Sequence, residues 1–140
     1  MKTPTDPDDE LRVLIQKVSR RIRAERAGSG VTDTQLSVLW KLANEGALTP
    51  TALAEKERVS APSMNRTLNG LEASRFVQRE RSATDARSVL VTITPAGENL
   101  IAETRRLRAA WFHEQLAHLS KADREALEAA RPVLRRLADS

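Results

Sequence analysis

Six side chains between positions 60 and 69 have the chemistry of groups that contact nucleic acid: Ser60, Pro62, Ser63, Asn65, Arg66 and Asn69. With Met64 as origin and ~100° per residue, Leu68 and Leu71 fall within about 40° of it and define an inward face. Pro62, Arg66 and Asn69 then point outward, with Ser63 and Asn65 on the flanks. No carboxylate interrupts this surface until Glu72. Hydroxyls, amides and a guanidinium of this kind donate to phosphates or read base edges in a major groove that admits one helix. An ordinary solvated helix face has the same polarity, so the spacing alone leaves both readings open.

The residues that follow favour the first reading. Arg75, Arg79, Arg81 and Arg87 gather around a polar hairpin, and Asp85-Ala86-Arg87 forms its tip. An arginine at a hairpin tip suits a narrow minor groove, where the negative potential is enhanced. A neighbouring aspartate can hold the guanidinium in one orientation. A plain surface ion pair, worth about 0–1 kcal/mol, does not account for its position beside that helix.

Catalytic chemistry finds no support. His113 and His118 lie five residues apart, about 140° around a helix, whereas zinc ligation needs four. There is no glycine-rich phosphate loop, no nucleophile elbow and no cysteine. We therefore expect no enzyme, no metal and no cofactor.

The elements that must position these groups are legible from periodicity. Asp6-Pro7 caps a first helix whose Leu11, Leu14, Ile15, Val18 and Ile22 share a face expected to be buried, ending at Gly28-Ser29-Gly30. Thr32 and Gln35 form a capping box for a second helix with Leu36, Leu39, Trp40 and Ala43 inward, closed near Gly46. Thr49-Pro50 starts a short third helix, and Ser60 caps a fourth over about 61–73. Segments 76–81 and 89–94 read as strands. Thr94-Pro95 opens a long helix to about His118, with Leu100, Thr104, Leu107 and Trp111 on one face and Phe112, Leu116 and Leu119 on another. Two apolar faces require two packing partners, one of them plausibly a second subunit. Ser120 caps a last helix carrying Leu127, Ala130, Leu134 and Leu137, which Pro132 should kink or split.

The expected fold class is mainly α with a small β-hairpin wing, in the order α-α-α-α-β-β-α-α. This reads as a winged helix-turn-helix (31–94) joined to further helices on either side (1–30 and 95–140). The chain has 140 residues, 40% of them hydrophobic and 30% charged, which fits one globular domain rather than a disordered chain. Eighteen of its 23 cationic residues are arginine, the side chain best suited to phosphate. The polar, acidic start lacks the apolar core of a signal peptide, and no run reaches the ~18 apolar residues of a membrane span. A cytoplasmic protein with no membrane partner is expected.

Leu48-Thr49-Pro50-Thr51-Ala52-Leu53-Ala54 followed by Val59-Ser60-Ala61-Pro62-Ser63-Met64-Asn65-Arg66 resembles the helix-turn-helix of MarR-type transcriptional regulators. So do Leu71-Glu72, Phe76-Val77-Gln78-Arg79, the Asp85-Ala86-Arg87 wing and Leu90-Val91-Thr92-Ile93-Thr94-Pro95-Ala96-Gly97. The resemblance spans roughly residues 8–138 and implies a homodimeric repressor whose helical dimerisation region is 1–30 with 95–140, with a recognition helix in each major groove and wings in the minor groove. It places DNA contacts at Ser60, Pro62, Ser63, Asn65, Arg66, Asp85 and Arg87. It also implies a small-molecule effector between the two regions, for which Trp40, Trp111 and His113 are the first candidates, although both tryptophans also suit the core. Three positions depart from the pattern. Ala86 replaces a second wing arginine, Ser74 replaces a glycine and should be strained if left-handed, and Pro132 is unusual. A protein-interaction module or a non-specific architectural DNA-binding module is the alternative.

Overall fold

Every helix begins at a side-chain oxygen that satisfies a backbone N–H left free by the first turn. The computed structural model of the chain describes residues 6–28, 30–85 and 88–140. Its elements are α1 (Pro7–Ala24), α2 (Asp33–Glu45), α3 (Pro50–Glu57), α4 (Ala61–Ala73), β1 (Val77–Arg81), β2 (Val89–Ile93), α5 (Pro95–Ala117) and α6 (Lys121–Ala138). Asp6, Thr32, Thr49, Ser60, Thr94 and Ser120 are the respective helix caps. At α2 the cap is reciprocal. The Thr32 hydroxyl accepts from Gln35 N at 3.1 Å, and the Gln35 side-chain Oε1 accepts from Thr32 N at 2.9 Å.

The core joins α2, α3, α4, the hairpin and the first turns of α5. Val38, Leu39, Leu42, Leu53, Met64, Leu68, Leu71, Val77 and Val91 are all at most 1% exposed. The inward stripe of α2 differs from expectation: Val38 and Leu42 are buried, Trp40 is half-buried and Ala43 is exposed. This helix packs against α3, α4, α5 and β2, so more than one stripe is covered.

In α5, Leu100, Ile101 and Thr104 are buried. The Thr104 hydroxyl accepts from Ala27 N at 3.1 Å, tying the α1–α2 connection to the helix. Thr94 joins β2 and α5 to the end of α4. Its hydroxyl donates to the Arg75 carbonyl at 2.7 Å and accepts from Gly97 N at 3.1 Å. Gly97 is required by this join, because a Cβ there would collide with the Phe76 carbonyl oxygen and come within 2.7 Å of Ile93 Cγ1.

The outer helices correct two expectations. No residue of α1 is buried, and Leu11, Leu14, Ile15 and Val18 are 43–57% exposed. Within one chain the last turn of this helix lies against α5, where Arg21 faces Trp111 and Ile22 is half-buried. Its end comes at Ala24, earlier than the glycine pair, and Arg108 from α5 holds its last carbonyls. Nε donates to Glu25 O at 2.9 Å and Nη2 to Arg23 O at 3.3 Å. Burial draws the Arg108 guanidinium below its ordinary pKa, Asp33 opposes the shift, and Arg26 and Arg23 add to it.

Pro132 does not split the last helix. α6 runs continuously from Lys121 to Ala138 with no buried residue. The proline removes one backbone bond, and the freed Glu128 carbonyl lies in an exposed stretch open to water. Leu127, Val133, Leu134 and Leu137 are exposed, as are Phe112 and Leu119 near the junction with α5.

Candidate nucleic-acid interface

The inward face of α4 is Met64, Leu68 and Leu71, at 0–1% exposure, and this anchorage fixes which side chains face outward. Pro62, Asn65, Arg66 and Asn69 are exposed, and Ser63 is half-buried on the flank. Ser60 Oγ accepts from Ser63 N at 3.2 Å, so its hydroxyl proton remains free to donate outward.

Both turns bounding α4 pass through the left-handed region. Before it, Arg58 has φ 56°, with its N–H donating to Glu55 O at 3.2 Å and that of Val59 to Ala54 O at 3.0 Å. After it, Ser74 is right-handed (φ −83°, ψ 0°), so the strain expected there is absent. Arg75, one residue later, takes the left-handed conformation at φ 63°. Arg75 N donates to Glu72 O at 3.0 Å and Phe76 N to Leu71 O at 2.9 Å. These are the paired bonds of a Schellman ending, with Phe76 folded toward Leu71.

The hairpin is antiparallel, with Val77 opposite Ile93 and Arg81 opposite Val89. Strand alternation puts Val77, Arg79 and Arg81 on one face. Arg79 is half-buried against α4, where Nη2 donates to Asn65 O at 3.4 Å and Nε is buried without a partner. Arg81, farther along the strand, is exposed. The wing gains a third backbone contact that the sequence did not suggest. Leu48 pairs with Val91, donating to its carbonyl at 3.2 Å and accepting from its N–H at 2.8 Å. Near the tip, Asp85 O accepts from Ser88 N at 3.0 Å, and its carboxylate accepts from the Ser88 hydroxyl at 3.3 Å. Ala86 and Arg87 lie outside the described residues.

Charge around α4 is largely uncommitted. Among the described residues, Arg58, Arg66, Arg75 and Arg81 make no ion pair. Glu57, by contrast, is held between Lys41 Nζ and Ser37 Oγ, each at 2.5 Å, in a cluster that fastens the end of α3 to α2. Sequence reasoning missed this cluster and the left-handed conformation of Arg58, since both depend on how two helices cross.

The three candidate ligand residues have different surroundings. Trp40 is faced by Arg105, with Cζ 4.9 Å from the ring centroid, and Trp111 by Arg21 at 5.4 Å. His113 is exposed and, two residues after Trp111, points to nearly the opposite side of α5. Among the described residues no group of histidines and carboxylates could hold a metal ion. Nor is any described helix long and apolar enough to cross a membrane.

Comparison with known proteins places this geometry in a wider group. Residues 31–89 match the sequence model of the MarR family. An HTH-type transcriptional regulator of Mycobacterium tuberculosis is 40% identical over 130 residues, 93% of this chain and 91% of the relative. The multiple antibiotic resistance protein MarR of Salmonella typhimurium is 27% identical over 111 residues, covering 79% and 77% of the two chains. Among solved structures, a candidate transcriptional regulator of Pseudomonas aeruginosa has a TM-score of 0.82 at 30% identity, covering 94% of this chain and 93% of its own. A Staphylococcus aureus MepR mutant bound to an oligodeoxyribonucleotide shares the fold, with a TM-score of 0.72 at 18% identity and coverage of 96% and 98%.

Proposed function

The chain belongs to the MarR family of DNA-binding transcriptional regulators, and from that premise we propose that it is a homodimeric cytoplasmic repressor acting at a pseudo-palindromic operator. The observation that carries this reading is the outward face of α4, free of carboxylates and flanked by unpaired arginines.

In this reading residues 31–94 read DNA, and 1–30 with 95–140 form the dimer. The concentration of the core between Val31 and Ile101 supports that division, as do the uncovered apolar faces of α1 and α6. Covering those faces against a second copy would remove exposed leucines from water at about 25 cal/mol per Å². Two-fold symmetry would set the two α4 helices about one DNA turn, ~34 Å, apart.

Ser63, Asn65 and Arg66 supply base and phosphate contacts, with Ser60, Pro62 and Asn69 bordering them. Arg75 and Arg81 neutralise phosphates. Arg79 joins them in the wing, and its bond to the Asn65 carbonyl supports a bracing role. Arg87, oriented by Asp85, enters the minor groove. A small-molecule effector that changes the separation of the two α4 helices would release the operator. Trp40, Trp111 and His113 remain the first residues to test for it.

Fluorescence anisotropy with the DNA flanking its own gene, against a scrambled duplex and across a salt series, tests the reading. A native-to-scrambled preference of ~10³ or more is expected for a specific regulator. Equal binding to both would replace the repressor with an architectural protein. A folded dimer that binds neither would favour a protein-interaction module.

A further inference from the structure

Among the described residues, the non-glycine positions in the left-handed region are two, and both are arginines at opposite ends of α4: Arg58 and Arg75. We propose that this pair clamps the two ends of α4 to DNA phosphates, and that each arginine is retained there at the expense of fold stability. The inference rests on the DNA-binding reading above and adds to it a residue, Arg58, and an energetic trade.

For an L-residue this conformation brings Cβ too close to the carbonyl oxygen that follows, and glycine relieves that contact. The local turns do not need the arginine side chains. Their closing bonds, from Arg58 and Val59 at one end and from Arg75 and Phe76 at the other, are all backbone to backbone. A glycine would make the same bonds without the strain. Both side chains are exposed, and among the described residues neither makes an ion pair or a side-chain hydrogen bond. Glu57, next to Arg58, is already committed to Lys41 and Ser37, so it does not draw the guanidinium inward.

What each position gains over glycine is therefore a free guanidinium. Strain that a glycine at the same position would relieve points to function. The 13 residues of α4 span about 20 Å at 1.5 Å per residue, more than the ~12 Å width of a major groove. A helix lying obliquely in that groove brings each end toward a phosphate strand. There a guanidinium makes paired, charge-assisted bonds.

Thermal unfolding and salt-dependent anisotropy on Arg58→Gly, Arg75→Gly and the double variant test the proposal, with the native flanking DNA and a scrambled duplex as probes. Each glycine is expected to raise Tm, by about 2–4 °C. Each is also expected to weaken binding to both duplexes roughly fivefold or more, since phosphate contacts carry no sequence information. The slope of log K against log salt should become shallower by about 0.9 for every phosphate no longer neutralised. Arg58→Lys, which keeps both charge and strain, should leave Tm and slope near wild type. Glycine variants with unchanged affinity and slope, beside a wild type that binds, would overturn the clamp alone. A lowered Tm would overturn the trade. A wild type that binds no DNA would overturn the DNA-binding reading and the clamp together.

Discussion

Arg79 reaches from the first wing strand to the main-chain carbonyl of Asn65, 3.4 Å away in the middle of α4. Its Nε is buried without a partner, so the guanidinium is wedged between wing and helix, whereas Arg81, two residues on, is exposed. The contact ties the first wing strand directly to the backbone of α4.

Arg79→Met keeps most of the buried stem and removes the bond and the charge. Specific affinity is expected to fall about five- to tenfold, roughly 1 kcal/mol, the net worth of one ordinary hydrogen bond. The salt slope should change by less than the ~0.9 of a direct phosphate contact. Anisotropy on native and scrambled duplexes checks both. A change in slope as large as that of a direct contact would make Arg79 a phosphate ligand and not a brace.

Gly97 allows α5 to start against the base of the wing, where the Phe76 carbonyl occupies the place of a Cβ. That oxygen also accepts from Thr94 N at 3.0 Å, so it cannot retreat without breaking the join. Gly97→Ala is expected to destabilise the fold by about 2–3 kcal/mol, as overpacking in a rigid site does. Urea denaturation followed by circular dichroism measures it, and an unchanged midpoint would show that β1 and α5 separate easily.

Leu14 on α1 and Leu134 on α6 are 49% and 46% exposed in the single chain. Lysine at both positions should leave the helical signal intact, since neither side chain belongs to the chain's own core. Sedimentation velocity should then show a monomer. Operator affinity should drop by at least ~10²-fold, because the second recognition helix no longer binds as part of the same particle. A double variant that remains dimeric would place the subunit contact elsewhere.

The sequence exposes features that depend on a few adjacent residues. The six caps, from Asp6 to Ser120, are each decided within one helical turn, and the structure contains all six. The inward face of α4 follows from the 3.6-residue period through Met64, Leu68 and Leu71. Features that depend on what lies opposite were less visible. Periodicity locates the apolar stripe of α1 but does not say that most of it lies uncovered by the same chain. Val38 and Leu42 are buried because α2 has neighbours on several sides, which no single stripe reveals. The left-handed residue falls at Arg75 instead of Ser74 because the ending pairs Phe76 with Leu71, which sets the conformation one position later. Arg79 has the same composition-level signature as Arg81, and only the strand's facing separates them.

The pairing of Leu48 with Val91 has a mechanical consequence. Leu48 belongs to the segment between α2 and α3, and its two backbone bonds fix the middle of β2 to the helical half of the reading head. With Arg79 bonded from the other strand to the Asn65 carbonyl, the hairpin and α4 are expected to turn as one plate. A lever acting through α1 and α5 would then move major-groove and minor-groove contacts together. In the proposed dimer, such a stroke would alter the spacing between half-sites while leaving the reading of each half-site unchanged.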